Sequence, residues 1–158
     1  MTLTQLIPSL RRSIADPLDT RKWPAHTVTS IDDVVVAGVS LDCLVDWCGT
    51  PCVHTTDTGC VIVTRVETVE IDAEGRVDVW VDAELAHCDA TWQEARMIGR
   101  VSTAHAVSTH LRPASEPQRT VFLPADLRQG DLIAIPSAMI IAVRDLRRAA
   151  RHPERCES

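Results

Sequence analysis

The chain has 158 residues, 45% of them apolar, and a formal net charge of −6. That length suffices for one domain with its own core and is too short for two comfortable ones. The acidic balance excludes a general nucleic-acid binder, which needs clustered Lys and Arg, and no apolar run approaches the ~20 residues of a membrane span.

Taken in order, residues 2–15 are expected to be helical. Leu3, Leu6, Ile7, Leu10 and Ile14 follow the spacing of one helix face, with Thr2 or Thr4 as cap, although Pro8 falls within the pattern. This helix is expected to pack on the main domain. Its arginines follow a short apolar part and no small-residue cleavage site is present, so it is a poor signal peptide and the protein is expected to be cytoplasmic. Residues 16–24 read as a linker broken by Pro17 and Pro24. Val34 to Val36 form a short strand ended by Gly38. Ser40 caps a helix that Gly49 terminates, with Leu41, Leu44, Val45 and Cys48 facing inward. An extended stretch at residues 51–55 and a turn at Thr56–Gly59 follow.

Residues 60–82 carry the strongest signal. Val77, Val79 and Val81 alternate with Asp78, Trp80 and Asp82, the period of a strand with one buried face. Val61, Ile62 and Val63 run in succession, which suggests a strand covered on both faces at one end. Gly75 supplies the turn between them. Beyond an irregular stretch at 83–91, strands are expected at 96–101, 104–110, 119–123, 132–135 (cut by Pro136) and 139–143. A short basic helix is expected at 145–152. The fold class is mainly β: a small β-barrel with a short N-terminal helix and a few peripheral helices. Its expected core includes Val61, Val63, Val77, Val79, Val81, Ile133 and Ile135. The expected division is residues 1–24 as helix and linker, 25–145 as barrel and 146–158 as basic tail.

His87, Cys88 and Asp89, followed by Glu94 and Arg96, form the densest polar cluster. A histidine and carboxylates in one loop suit general acid/base work, so His87, Asp89, Glu94 and Arg96 are the catalytic candidates. The same stretch reads as a solvated loop at the barrel mouth. Trp47, Trp80 and Trp92 are candidates for an aromatic pocket wall. His105 and His110 are five apart on one strand and point to opposite faces, so at most one lines a pocket. His54 reads as a hydrogen-bonded core histidine. Cys43, Cys48, Cys52 and Cys60 are spaced irregularly for a zinc knuckle and read as small buried hydrophobes, with zinc or a redox pair as alternatives. No Ser-His-Asp set, phosphate loop or dinucleotide fingerprint occurs. The chain has one lysine, Lys22, and no tyrosine.

Residues 36–59, VAGVSLDCLVDWCGTPCVHTTDTG, resemble the opening of diaminopimelate decarboxylase-like enzymes, with Gly49-Thr50-Pro51 as the shared turn. From Cys60 the chain resembles the C-terminal β-barrel shared by alanine racemase and the ornithine and diaminopimelate decarboxylases. VIVTRVETVEIDAEGRVDVWVDAEL is similar to the first hairpin, and residues 123–139, LPADLRQGDLIAIPSAM, to a later stretch with its Gly130-Asp131 turn. In that family a TIM barrel with a pyridoxal phosphate lysine lies between the two pieces; here Gly59 runs straight into the hairpin. The family's active-site Cys, Tyr and Arg would fall near Ala114, at Met139 and at Glu94-Ala95, and none is kept. The resemblance thus implies a stand-alone, degenerate β-domain that has lost pyridoxal phosphate chemistry, with no cofactor; the irregular cysteine spacing adds the expectation of no metal. Trp80, Trp92, His105 and Met139 are the expected ligand-binding residues. The expected function is small-molecule binding, with cofactor-independent isomerisation, cyclisation or elimination in a specialised biosynthetic pathway. The alternatives are an accessory subunit of a separate TIM-barrel protein and a structural remnant that binds only itself. A homodimer with Trp80 or Trp92 near its interface is also expected.

Overall fold

The computed structural model describes residues 2–86, 88–112 and 119–147. In chain order the elements are α1 (Leu3–Leu6), a 3-10 turn (Pro8–Arg12), β1 (Thr27–Thr29), β2 (Val34–Val36), β3 (Val39–Ser40) and α2 (Leu41–Cys48). There follow β4 (Cys52–Thr56), β5 (Gly59–Ile71), β6 (Val77–Val81), a second 3-10 turn (Trp92–Glu94) and β7 (Arg96–Ile98). The chain continues through β8 (Ala106–Arg112), β9 (Arg119–Pro124), β10 (Leu132–Ser137) and α3 (Val143–Leu146). The protein is mainly β, and its larger sheet is a nearly closed barrel. No helix among the described residues is long and apolar enough to cross a membrane.

Strand β5 is the spine. One edge pairs antiparallel with β10 from Cys60 to Arg65. The other pairs first with β4, up to Val63, and then with β6 from Val66 onward. A bulge between Val66 and Thr68 marks the change. From β6 the sheet continues through β8, the parallel neighbour, to β9; from β10 it continues to β7. A small antiparallel sheet of β1, β2 and β3 lies apart. The β5–β6 turn is held by Asp72, whose Oδ1 accepts from the backbone N–H groups of Glu74 and Arg76 at 2.9 and 2.8 Å. Gly75 there takes φ 81°, which a side chain would resist.

The two faces of β5 fill two cores. Ile62 and Val66 point into the barrel with Val79, Val81, Leu111, Val121, Leu123, Ile133 and Ile135. Val61 and Val63 point the other way, into a second core with Trp23, Val34, Val36, Leu41, Val45 and Cys52. The successive Val61-Ile62-Val63 run is therefore covered on both faces. Val61 and Val63 lie outside the barrel interior because neighbouring strand residues alternate, and Val77 is only half-buried at the strand's start.

Three expectations are corrected. Pro8 divides the N-terminal helix into α1 and a 3-10 turn, and the segment is turned over. Thr4, Pro8 and Arg11 are buried, whereas Leu3, Leu6, Ile7 and Ile14 are exposed. Strand β10 runs through Pro136 to Ser137, because β7 pairs only as far as Ala134 and leaves that edge without a ladder to interrupt. Residues 139–143 form no strand: Met139 and Ile140 are exposed, and α3 starts at Val143. The rest of the expected basic helix lies outside the described residues. Helix α2 keeps its caps, with Cys43 N–H donating to Ser40 Oγ at 3.2 Å. It buries Leu41 and Val45 and leaves Cys43 and Cys48 exposed. Cys52 and Cys60 are the buried members of that cysteine set. Burial pushes the Cys52 thiol up to about 11, with Cys48 and Asp82 adding to it.

Candidate functional site

Strands β7 and β9 end opposite sides of the barrel sheet and pack against each other without a ladder among the described residues. Polar side chains close this seam. Arg100, just after β7, donates from Nε and Nη2 to the two Asp131 carboxylate oxygens, each at 2.7 Å. It also donates from Nη2 to the Asp126 carbonyl at 3.0 Å and from Nη1 to Asp126 Oδ2 at 3.3 Å. Ser102 Oγ donates to Asp126 Oδ1 at 2.6 Å. The Asp131 hydrogen bonds lift the Arg100 guanidinium above its usual value against the effect of burial. Burial pushes the Asp126 carboxyl up, but hydrogen bonds from Ser102 and Arg100 outweigh it and hold it below its ordinary value.

The N-terminal segment lies over this seam. Buried Arg11 donates from Nη1 to the Ala104 carbonyl at 2.5 Å, and its Nε is 3.1 Å from Asp16 Oδ2. Arg96, at the start of β7, donates from Nη2 to the Asp16 carbonyl at 2.9 Å. Two guanidiniums thus stitch residues 11–16 to the strand ends. Between segment and barrel is a cleft of about 260 Å³, with Arg11, Asp16, Glu94, Arg96, Ala106 and Phe122 among its walls. That volume lies just under the ~300 Å³ at which drug-sized sites begin, so it suits a fragment-sized molecule.

Glu94 and Arg96 are the two catalytic candidates that meet here. Glu94 Oε2 accepts from Trp23 Nε1 at 3.0 Å and from Asp19 N–H at 3.4 Å. Its Oε1 has no hydrogen-bond partner among the described residues. Burial holds the Arg96 guanidinium below its usual value; Asp16 and Glu94 pull it back up, and Arg11 pushes it down. It remains a cation, as arginine does in proteins.

The other candidates lie elsewhere. Asp89 is exposed, and its carbonyl accepts from Ser137 Oγ at 2.5 Å. His87 lies outside the described residues. Trp92 is buried in the barrel core. Trp80 is 37% exposed on the outer side of β6, opposite Thr68 and Arg112. His105 is exposed beside the seam, where its carbonyl accepts from Ala125 N–H at 2.8 Å. Met139 is exposed on the loop after β10. Trp47 is exposed on α2, so the three tryptophans share no wall. His54 is half-buried and bonds through Nε2 to the Val36 carbonyl at 3.1 Å. Sequence reasoning missed Arg11, Asp16 and Phe122. The signal for Arg11 was its i, i+4, i+7 spacing with Thr4 and Pro8, which marks a second helix face beside the apolar one.

Fold and site together define a small, nearly closed β-barrel with a charged cleft at its open seam. No family model matches the chain, and no curated protein matches it. Among solved structures it is similar to the arginine decarboxylase of Paramecium bursaria Chlorella virus, in two structures, one of them bound to agmatine. Each match has a TM-score of 0.38 and 15% sequence identity, and covers 56% of this chain and 28% of the viral chain. The chain therefore matches little more than a quarter of that protein's length.

Proposed function

We propose that this chain is a small-molecule-binding barrel whose ligand occupies the seam cleft. The observation that carries the reading is the cleft over the unladdered seam of β7 and β9, between the barrel and the N-terminal segment, which is walled by charged side chains. Any turnover there is cofactor-independent isomerisation, cyclisation or elimination. Glu94, with Oε1 facing no partner among the described residues, is placed to move a proton, and Arg96 to orient the molecule and stabilise negative charge. The degenerate, pyridoxal-free β-domain suggested by the sequence resemblance fits this reading.

The test fills the cleft without touching its charges. Ala106 is exposed on a wall of the cleft, so Ala106→Trp occupies the recess while leaving the core alone. Benzoate, benzamide and benzylammonium, one shape with three charges, are titrated into the isotope-labelled protein. At least one is expected to move the amide resonances of Ala95, Arg96 and Phe122 in the wild type and to lose that effect in Ala106→Trp at unchanged melting temperature. Equal responses in both proteins, or none in either, would overturn the reading.

A second reading, an accessory subunit or self-associating domain, is favoured by the exposed apolar residues of the N-terminal segment. Leu3 is 57% and Leu6 59% exposed. Apolar side chains gathered on one short segment suit a contact with another chain.

A further inference from the structure

Resting on the reading that the seam cleft is a ligand site, we infer that its ligand is a carboxylate with an apolar or aromatic body, the carboxylate held by Arg96 and the body set against Phe122. The charged side chains around the cleft all have hydrogen-bond or ion-pair partners, Glu94 through one oxygen only, but one arginine lacks a carboxylate partner among the described residues. Arg11 pairs with Asp16. Arg100 is fully engaged by Asp131 and Asp126. Asp33 accepts from the Ser40 hydroxyl and from the Val34 and Asp42 N–H groups. Asp32 accepts from the Ser30 hydroxyl at 3.3 Å. Glu94 is turned to Trp23 through one oxygen.

Arg96 alone among the three cleft arginines has no ion pair among the described residues. Its one side-chain hydrogen bond goes to a backbone carbonyl. That bond takes one of the two Nη2 hydrogens, so the edge of the planar fork on its other side, formed by Nη2 with a second nitrogen, keeps both donors without an acceptor among the described residues. A fork held from behind and open in front matches the two oxygens of a carboxylate, which is the geometry of the stronger charge-assisted pairs. The partial burial of Arg96 makes this pairing stronger than it would be in open water.

Phe122 supplies the second half of the recognition. It is the chain's only phenylalanine and is 70% exposed on β9, where a side chain of that size normally turns inward. It borders the same cleft as Arg96, with Ala106 beside it on β8. An apolar wall and a guanidinium facing one recess fit a molecule with one charged and one apolar end.

The same three probes decide the matter at low ionic strength. Benzoate is expected to bind at least about tenfold more tightly than benzamide or benzylammonium, because only it can take both nitrogens of the fork. Arg96→Gln is expected to remove that advantage, with Arg96→Lys in between because it keeps the charge and loses the fork. Phe122→Ala should weaken benzoate and leave acetate unchanged. If benzamide or benzylammonium binds as tightly as benzoate, and Ala106→Trp still blocks it, the ligand class is wrong and the cleft remains the site. If Ala106→Trp affects no probe, the site itself is wrong. Should Arg96→Gln fail to fold, the comparison of benzoate with its two analogues on the wild-type protein decides alone.

Discussion

Asp82 occupies the junction where β4 gives way to β6 along one edge of β5. Its Oδ1 accepts from the Thr64 hydroxyl at 2.7 Å and the Arg65 N–H at 2.9 Å, and its Oδ2 accepts from the Thr50 hydroxyl. One carboxylate thus stands in for the missing length of partner strand. Asp82→Ala removes the acceptor and leaves three donors behind, Thr64 being fully buried. A loss of about 3 kcal/mol is expected, since hydrogen bonds to a charged group are the stronger kind and an unmet buried donor costs most. Asp82→Asn keeps an acceptor and should lose less. Urea unfolding of the two variants checks the order; equal losses would mean that the carboxylate is not the junction's support. Nothing in the sequence marked Asp82 out, because it closes an alternating run as an ordinary outward residue would.

The seam lacks a backbone ladder among the described residues and depends on a carboxylate that acid can neutralise. The folded-state pKa of Asp126 is depressed, so its stabilisation is present above the unfolded value of about 3.9 and is lost as pH falls through the lower folded value. Arg100→Ala removes one cause of the depression and also strips buried Asp131 of its partner. The variant should be about 3 kcal/mol less stable at neutral pH, the usual cost of breaking a buried pair. Its deficit should shrink as the pH falls below about 4, as Asp126 takes up its proton in both proteins. Unfolding curves across that range test this, and a deficit that widened with acid would contradict it. The elements around the seam were unevenly legible in sequence. The β5–β6 hairpin was plain because Val77, Val79 and Val81 alternate and Gly75 breaks the run. The N-terminal segment misled because periodicity says only that Leu3, Leu6 and Ile7 share a face. It does not say which way that face turns, and the hydrogen bonds of Arg11 turn it outward.

At the scale of the whole molecule, the exposed apolar residues of the N-terminal segment bear on association. The homodimer proposed for this chain needs roughly 800 Å² buried on each partner. Leu3, Leu6, Ile7 and Ile14 supply an apolar centre for such a contact. Sedimentation velocity at micromolar concentration should therefore show a dimer that Leu6→Glu converts to monomer. A wild-type monomer would leave those residues to a different protein. The candidate site was half legible for a reason that belongs to this scale. Glu94 and Arg96 are neighbours in sequence and could be read as a cluster. Arg11, Asp16 and Phe122 join them only once the sheet has curled far enough to bring β9 beside β7, and no local pattern encodes that closure. Asp89 shares the polar stretch with Glu94 but sits beyond the turn that points Glu94 toward the cleft.

The strand order also bears on how the chain is made. Strand β10 comes after the other strands of the described residues, yet it lies between β5 and β7 and fills the interior of the sheet with Ile133 and Ile135. Until it leaves the ribosome, the edge of β5 from Cys60 to Arg65 lacks its partner and β7 has no strand to pair with. The nascent chain must carry that open, valine-rich edge until β10 has been made, a state in which strands readily join the wrong neighbour. Completion of the barrel thus waits for β10, and a chain cut after β9 would present a sticky edge instead of a smaller barrel.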